Sequence, residues 1–242
     1  MAPKTDIGLQ KQVIYSIYVR AHTEEGSFRA IIPDLDRIKA LGTDIIWFMP
    51  IHPIGVKGKK GSLGCPYANR DYRTVNPQYG TEADFRRLVD EIHKRGMKCI
   101  IDVVYNHTSP DAVLLEEHPD FYWRDENGNT GNKIGDWADV IDLDYSNIGL
   151  WDYQIETLRG WARVVDGFRC DVASFVPITF WNMARGLVNR ESPHTSGWGR
   201  PCTAATATSP GARASIPAGT AKLLKFSTSS MTMTSGKNSI TG

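Results

Sequence analysis

Four short apolar segments recur along the chain and predict β-strands. They cover residues 13–19, 44–51, 98–104 and 167–173, and they are rich in β-branched and aromatic residues. The second segment is an almost continuous apolar run, which is typical of a strand that is buried on both faces of its sheet. The chain is therefore expected to contain a sheet with both faces buried.

A helix is predicted after each of these strands, because apolar residues recur there at helical spacing. The first helix is predicted over 28–42, with a buried stripe formed by Ile31, Leu35, Ile38 and Leu41. Thr81 is a favourable N-cap for the second helix, which is predicted over 81–96. The third and fourth helices are predicted over 150–165 and 178–190.

The alternation of strand and helix predicts a parallel sheet with helical crossovers. The fold class is therefore α/β, and residues 13–190 are predicted to be the first four βα units of a (β/α)8 TIM barrel. A long loop follows the second strand (52–80), and an inserted loop or subdomain follows the third strand (105–147). In such a barrel the segments after the strands build the active site. Residues 1–12 are predicted to be an N-terminal extension.

The acidic residues stop abruptly, since all 27 of them lie at or before Glu191. The 51 residues that follow contain 18 Ser or Thr and too little periodic apolar sequence to build a core. Residues 191–242 are therefore predicted to be a disordered tail.

Charge and composition limit the partners and the compartment. Residues 1–191 carry 23 basic and 27 acidic side chains, which gives no electrostatic reason to expect nucleic acid or an anionic membrane as a partner. No stretch approaches the roughly 18 apolar residues of a membrane span, and no signal peptide is recognisable. The four cysteines form no CxxC pair, so a cytoplasmic location is expected.

Polar residues cluster where the third and fourth predicted strands end. The segment "DVVYNH" ends the third strand and "GFRCD" ends the fourth. Arg169 and Asp171 are two residues apart on a strand, so both side chains point to the same face. The guanidinium is expected to lower the pKa of the carboxyl group and keep it ionised. The pair is a candidate nucleophile with its supporting cation, or a structural ion pair in the barrel interior.

Six further residues are expected to have structural rather than functional roles. A tryptophan-containing run on the second strand is expected to pack inside the barrel rather than to bind substrate. Three histidines without partners at ligand spacing are expected on the surface or in loops. These residues are Trp47, Phe48 and Met49, and His52, His93 and His118.

The motifs "DVVYNH", "GFRCDVAS" and "GCPYANRDY" resemble the α-amylase family of retaining glycoside hydrolases, over roughly residues 10–190. The resemblance implies cleavage of α-glucosidic bonds in starch or maltooligosaccharides, with Asp171 as the nucleophile. It implies that Arg169 orients Asp171 and that Asp102 supports the floor of the site. It also implies that His107 hydrogen-bonds a sugar hydroxyl and that Tyr67 is an aromatic platform for the sugar.

The resemblance implies no cofactor for the chemistry, but it suggests a structural calcium ion. Asn106 and Asp142 match positions that often bind calcium in this family, and oxygen ligands from separate loops suit that ion. Many calcium-binding members have Lys-His shortly after the nucleophile, whereas this chain has Ala173 and Ser174. This difference argues against the best-known extracellular amylase type.

The family also requires an acid/base Glu at the end of the fifth strand, where this chain has its acid-free tail. Reading the codons of 195–203 one nucleotide earlier permits "IWLGETVH", which resembles that fifth strand with its Glu. We therefore expect a frameshift between about Gly186 and Glu191. The chain itself is then expected to be inactive. The alternatives are a transglycosylase or isomerase of the same family and a non-catalytic half-barrel that binds sugar or nothing.

Overall fold

The protein is described by a computed structural model over residues 11–188, 203–205 and 223–224. Four parallel strands form the centre of its sheet: β1 Ile14–Ile17, β2 Ile45–Phe48, β3 Lys98–Val103 and β6 Gly167–Cys170. They lie side by side in the order β6-β3-β2-β1. The structure thus confirms the α/β class and the four predicted strands of a partial barrel.

Helices lie in the segments that connect these strands, because parallel neighbours in a sheet need crossover connections. Their bounds are α1 Val19–His22, α2 Phe28–Ile31, α3 Leu35–Ala40, α4 Glu82–Lys94, α5 Val113–Glu117, α6 Ile148–Ala162 and α7 Ile178–Val188. The end of the fourth predicted helix, residues 189–190, lies outside the described residues.

The first predicted helix is not continuous, which corrects the sequence prediction. A 3-10 turn, Ile32–Asp34, separates α2 from α3. Pro33 has no N–H to donate and its ring crowds the preceding turn, so an α-helix does not pass through it. The predicted stripe is buried except for Leu41, which follows α3 and is about half exposed.

Helix α4 begins where the sequence predicts. The Thr81 side chain accepts a hydrogen bond from the Asp84 N–H, and the Asp84 carboxylate accepts one from the Thr81 N–H. The hydrogen bonds that the carboxylate accepts from the Thr81 N–H, the Thr81 hydroxyl and Arg29 lower the pKa of Asp84 to about 2. The capping box satisfies N–H groups that have no partner in the first turn of a helix.

Aromatic rings fill the layer between the sheet and the helices. The Phe85 ring of α4 contacts Phe48 on β2 (ring centroids 5.9 Å apart), Phe28 on α2 (5.1 Å) and Trp161 on α6 (6.1 Å). Phe28, Phe48 and Phe85 are fully buried. Burial of such large side chains is the main favourable contribution to stability.

The segment between β3 and α6, predicted to be an inserted loop or subdomain, contains short elements of its own. Two short strands, β4 His107–Thr108 and β5 Ile141–Asp142, pair antiparallel within it. Helix α5 and a 3-10 turn over Pro119–Phe121 lie between them. The predicted insertion is therefore a small folded unit above the C-terminal ends of the strands.

Two short strands continue the sheet at its edges. β7 Thr203–Ala205 pairs parallel with β6, and β8 Leu223–Leu224 pairs antiparallel with β1. Apart from these strands and residues 11–12, the predicted N-terminal extension (1–12) and tail (191–242) lie outside the described residues. Within the described part of the chain, no helix is both long enough and apolar enough to cross a membrane.

Candidate active site

Asp102, Arg169 and Asp171 form a buried cluster at the C-terminal ends of β3 and β6. Asp102 and Arg169 are partners in the register of the two parallel strands. Nη1 of Arg169 lies 3.0 and 3.1 Å from the two carboxylate oxygens of Asp102 and 2.7 Å from Oδ1 of Asp171. One guanidinium therefore holds two carboxylates that would otherwise repel each other.

Burial changes the titration of this cluster in a direction that the sequence did not predict. Burial raises the pKa of Asp171, and the charge and hydrogen bond of Arg169 only partly oppose this shift. Burial also raises the pKa of Asp102, to about 7, against the charge of Arg169. The expected lowering of the Asp171 pKa is thus wrong, because loss of solvent outweighs the nearby cation.

Tyr67 joins the cluster from the loop between β2 and α4. Its hydroxyl group donates a hydrogen bond to Oδ2 of Asp102 over 3.1 Å. Burial raises the pKa of Tyr67, so the hydroxyl keeps its proton and remains a donor. The structure therefore brings Tyr67, Asp102, Arg169 and Asp171 into one hydrogen-bonded cluster.

His107 lies on β4, beside this cluster and almost fully buried. Burial lowers its pKa to about 4, so the imidazole is neutral at physiological pH. A neutral imidazole has one N–H donor and one acceptor nitrogen. Nδ1 of His107 lies 3.2 Å from Nδ2 of Asn106, and the ring also forms a hydrogen bond with the Tyr67 backbone, so these contacts fix its orientation. The ring of Trp137 stands edge-on to the imidazole, with the centroids 5.3 Å apart.

Asn106 and Asp142 are in contact, but their arrangement does not fit a calcium site. Nδ2 of Asn106 donates to Oδ1 of Asp142 (3.2 Å), and the Lys133 N–H donates to Oδ2 (2.9 Å). Donors thus face both oxygens that would bind the cation, whereas calcium takes six to eight oxygen ligands. Among the described residues, no three His, Cys, Asp or Glu side chains are grouped to hold a metal ion.

Calcium binding by this chain therefore stays a prediction from the resemblance. A calcium site would raise the melting temperature in the presence of calcium, and Asp142→Asn would remove that rise. From the hydrogen-bonded arrangement we expect the same melting temperature with calcium and with a chelator.

Two side chains, on β2 and in the loop after it, have positions that the structure defines more closely than the sequence did. The guanidinium of Arg169 lies 5.2 Å from the centroid of the Trp47 ring, so Trp47 faces the barrel interior and borders the carboxylate cluster. This position agrees with the expectation that Trp47 packs inside the barrel, because Phe48 faces the helices and successive side chains of a strand face opposite sides. His52 lies in the loop after β2, but it is buried and hydrogen-bonded to the Thr74 carbonyl (2.8 Å) rather than placed at the surface.

The backbone directly after Asp171 is strained. Val172 has φ 38° and ψ 41°, which is the left-handed region that β-branched residues rarely adopt. A short 3-10 turn, Ala173–Phe175, follows. Backbone strain of this kind persists only where the surrounding structure holds the residue in place, and it occurs often at functional sites.

The two long loops are joined to each other above the site. The Ser109 N–H donates to the Asn69 carbonyl and the Val113 N–H donates to the Arg70 carbonyl, each over 2.9 Å. At Gly55 the loops approach so closely that a Cβ atom would overlap the Ser109 side chain. The walls of the site therefore behave as one packed unit.

We expect Gly55→Ala to lower the free energy of unfolding by roughly 1–3 kcal/mol, because the added methyl group has no space. Its Cβ would also lie 2.6 Å from Oδ1 of Asp111. Urea denaturation followed by tryptophan fluorescence measures the change. Gly160→Ala in α6 is the control, because apart from its chain neighbours and the nearby backbone of its own helix no atom lies within 4 Å of that Cβ position. Equal stability of the two variants would contradict the close approach of the loops.

The comparisons with known proteins agree with this geometry. The α-amylase catalytic-domain family model matches residues 14–138. The chain is 30% identical to Alpha-amylase MalA of Haloarcula japonica over 184 residues, which cover 71% of this chain and 26% of that protein. It is 29% identical to an oligo-1,6-glucosidase of Parageobacillus thermoglucosidasius over 206 residues, which cover 69% of this chain and 35% of that protein.

The chain is also similar to a solved α-amylase structure. The crystal structure of an α-amylase from Lactobacillus plantarum is 55% identical and superposes with a TM-score of 0.75. The match covers 76% of this chain and 44% of that structure. The chain thus spans about a quarter to a third of the length of the two curated relatives and less than half of the solved structure.

Proposed function

Because the chain belongs to the α-amylase family of glycoside hydrolases, we propose that it is the nucleophile-bearing half of an enzyme that cleaves α-glucosidic bonds in starch or maltooligosaccharides. The observation that carries this proposal is the position of Asp171. It follows β6 at the C-terminal end of the parallel sheet, beside Arg169 and Asp102. Barrel enzymes place their reacting groups at this end.

The proposed chemistry is a double displacement with retention of configuration. The ionised Asp171 carboxylate attacks the anomeric carbon, the bond to the leaving oxygen breaks, and a covalent glycosyl-enzyme forms. Arg169 orients Asp171 and opposes the rise in pKa that burial causes. His107 and Tyr67 hold the sugar. Asp102 accepts a hydrogen bond from the Tyr67 hydroxyl group and so fixes the Tyr67 side chain.

A second carboxyl group must protonate the leaving oxygen and later activate water, at about 5 Å from the nucleophile. Residues 192–242 contain no Asp or Glu. We therefore propose that the 242-residue chain performs no hydrolysis on its own, and that the missing Glu belongs to the reading frame shifted after about Gly186.

We expect no release of glucose or maltose from maltotetraose by the purified 242-residue chain. The gene with one nucleotide restored between codons 186 and 191 is expected to encode an active enzyme whose first product is the α-anomer. Product analysis by chromatography and by NMR measures both outcomes. Asp171-dependent turnover by the 242-residue chain would contradict the need for the missing Glu.

A non-catalytic half-barrel is the second candidate, and the acid-free sequence after Glu191 favours it. Sugar binding without turnover, both by the 242-residue chain and by the protein that the frame-restored gene encodes, would support this candidate. A transglycosylase or isomerase would use the same nucleophile, so formation of longer or rearranged sugars by the restored enzyme distinguishes those activities from hydrolysis.

A further inference from the structure

Trp47 shares the interior face of the sheet with the carboxylate cluster. It lies on β2 and pairs in register with Ile100 on β3, and Asp102 follows two residues later on β3. Partners in a parallel pair point to the same face, and so do residues two apart on one strand. The Trp47 side chain therefore lies on the same face as Asp102 and Arg169, which are themselves partners in register.

The contact between Trp47 and the cluster is made through a cation. Cζ of Arg169 lies over the Trp47 ring, 5.2 Å from its centroid. A guanidinium within about 6 Å of an aromatic ring is attracted to the negative face of that ring, and tryptophan gives the strongest attraction of this kind. Only 9% of the Arg169 side chain is exposed, so water weakens the attraction little.

The ring restricts a movement of the guanidinium that the carboxylates leave open. The distances of 3.0, 3.1 and 2.7 Å all join oxygens of Asp102 and Asp171 to one nitrogen, Nη1 of Arg169. Contacts that converge on one atom fix the position of that atom, but they do not fix the tilt of the guanidinium plane about it. The Trp47 ring opposes such a tilt, because moving the cation away from the ring loses the attraction.

Packing alone does not account for an indole at this position. Nε1 of Trp47 is buried and has no hydrogen-bond partner among the described residues. A buried N–H without a partner is unfavourable, and an apolar side chain would fill the space without that cost. The indole differs from an aliphatic side chain in its electron-rich face, which is the part that Arg169 contacts.

We propose that Trp47 is a positioning residue for the nucleophile, which acts by holding the guanidinium of Arg169 in the orientation that directs Asp171. This inference rests on the proposed function, since it assigns a further residue to the same reaction. A displaced guanidinium would stabilise the ionised carboxylate of Asp171 less and would hold it less firmly. Because Trp47 acts through Arg169, its loss should change the reactivity of Asp171 and leave the affinity for substrate unchanged.

The first test measures the kinetics of Trp47 variants of the frame-restored enzyme with maltotetraose. Trp47→Leu keeps an apolar side chain without a ring, and kcat is expected to fall about 3- to 10-fold at unchanged KM. The acid limb of the pH profile of kcat/KM is expected to move to higher pH, because Asp171 must be ionised to attack. Trp47→Phe keeps a ring face and is expected to restore most of kcat.

The second test needs no turnover and uses the 242-residue chain. Carbon-13 NMR of the chain labelled at its aspartate carboxyl carbons measures the pKa of Asp171, whose signal is identified by its absence in Asp171→Asn. Trp47→Leu is expected to raise this pKa. Trp47→Met, which adapts more easily to the surrounding space, is the second variant if Trp47→Leu does not fold.

Tyr153→Leu is the control in both tests. It removes the ring under the guanidinium of Arg73, 3.7 Å from the ring centroid, on α6 and outside the cluster. This variant is expected to lower the stability of the protein without changing the pKa of Asp171 or the pH profile. Near-UV circular dichroism shows that each variant is folded.

Three results would overturn the role of Trp47 and leave the proposed function intact. They are an unchanged kcat and Asp171 pKa in Trp47→Leu, a raised KM at unchanged kcat, and equal losses in Trp47→Phe and Trp47→Leu. The second would place Trp47 against the substrate, and the third would show that the shape of the indole matters rather than its ring face. Absence of activity in the unsubstituted frame-restored enzyme would instead remove the proposed function, and the role of Trp47 with it.

Discussion

Arg169→Leu is expected to destabilise the protein by roughly 3–5 kcal/mol at neutral pH, because it leaves two buried carboxylates without their cation. The Asp102 side chain is completely buried and Asp171 is nearly so. Net stabilities of proteins of this size are of the order of 5–15 kcal/mol, so the variant loses a large part of its stability. Urea denaturation followed by tryptophan fluorescence measures the loss.

The same variant should respond to pH in a defined direction. The folded-state pKa of Asp102, about 7, lies above its ordinary value, so its contribution to stability is complete in acid and is lost as the pH rises through about 7. Without Arg169 the carboxyl pKa values rise further. The destabilisation is therefore expected to be smaller at about pH 5 than at about pH 8.

Two controls separate this effect from the loss of any arginine. Arg86→Leu removes an exposed pair with Glu82 on the surface of α4 and is expected to change stability far less. Arg169→Lys keeps a cation but loses the planar donor group, so an intermediate loss is expected. Equal effects of Arg169→Leu and Arg86→Leu, or a loss that grows in acid, would contradict the buried cluster.

The second large effect concerns Asp171 in the frame-restored enzyme. Asp171→Asn removes the nucleophile but keeps its shape, and kcat/KM for maltotetraose is expected to fall by roughly 10⁴-fold or more. Asp144→Asn is the control, because that carboxylate lies in the loop before α6 and caps the Ser146 N–H. Comparable turnover by Asp171→Asn and the wild type would contradict the assignment of the nucleophile.

The sequence predicts the cluster because two simple rules apply to it. Side chains two apart on a strand share a face, and the C-terminal ends of parallel strands meet at one edge of the sheet. Arg169 and Asp171 were therefore expected on one face once their strand was identified, whereas the role of Asp102 beside them was implied by the resemblance and its register with Arg169 comes from the structure. Tyr67 lies in a loop without periodicity, so only its resemblance to a known motif indicated its place.

Other features depend on tertiary packing that the pattern does not contain. The direction of the Asp171 pKa shift follows from its burial in the folded chain, which the charge of Arg169 alone does not reveal. The contact between Trp137 and Phe175 joins two separate loops, and neither loop has a regular apolar pattern. Pro33, in contrast, indicates the break between α2 and α3 from the sequence alone. The prediction followed the helical spacing of the apolar residues and overlooked this proline.

Covalent trapping tests the central assignment most directly. A glucosyl fluoride with an additional fluorine at C5 forms the glycosyl-enzyme by loss of fluoride, which needs no protonation, and the C5 fluorine slows its hydrolysis. Mass spectrometry of the digested, frame-restored enzyme should find one fluoroglucosyl group on the peptide that contains Asp171, and none in Asp171→Asn. A label on another carboxylate, or an active enzyme that is never labelled on Asp171, would contradict this account.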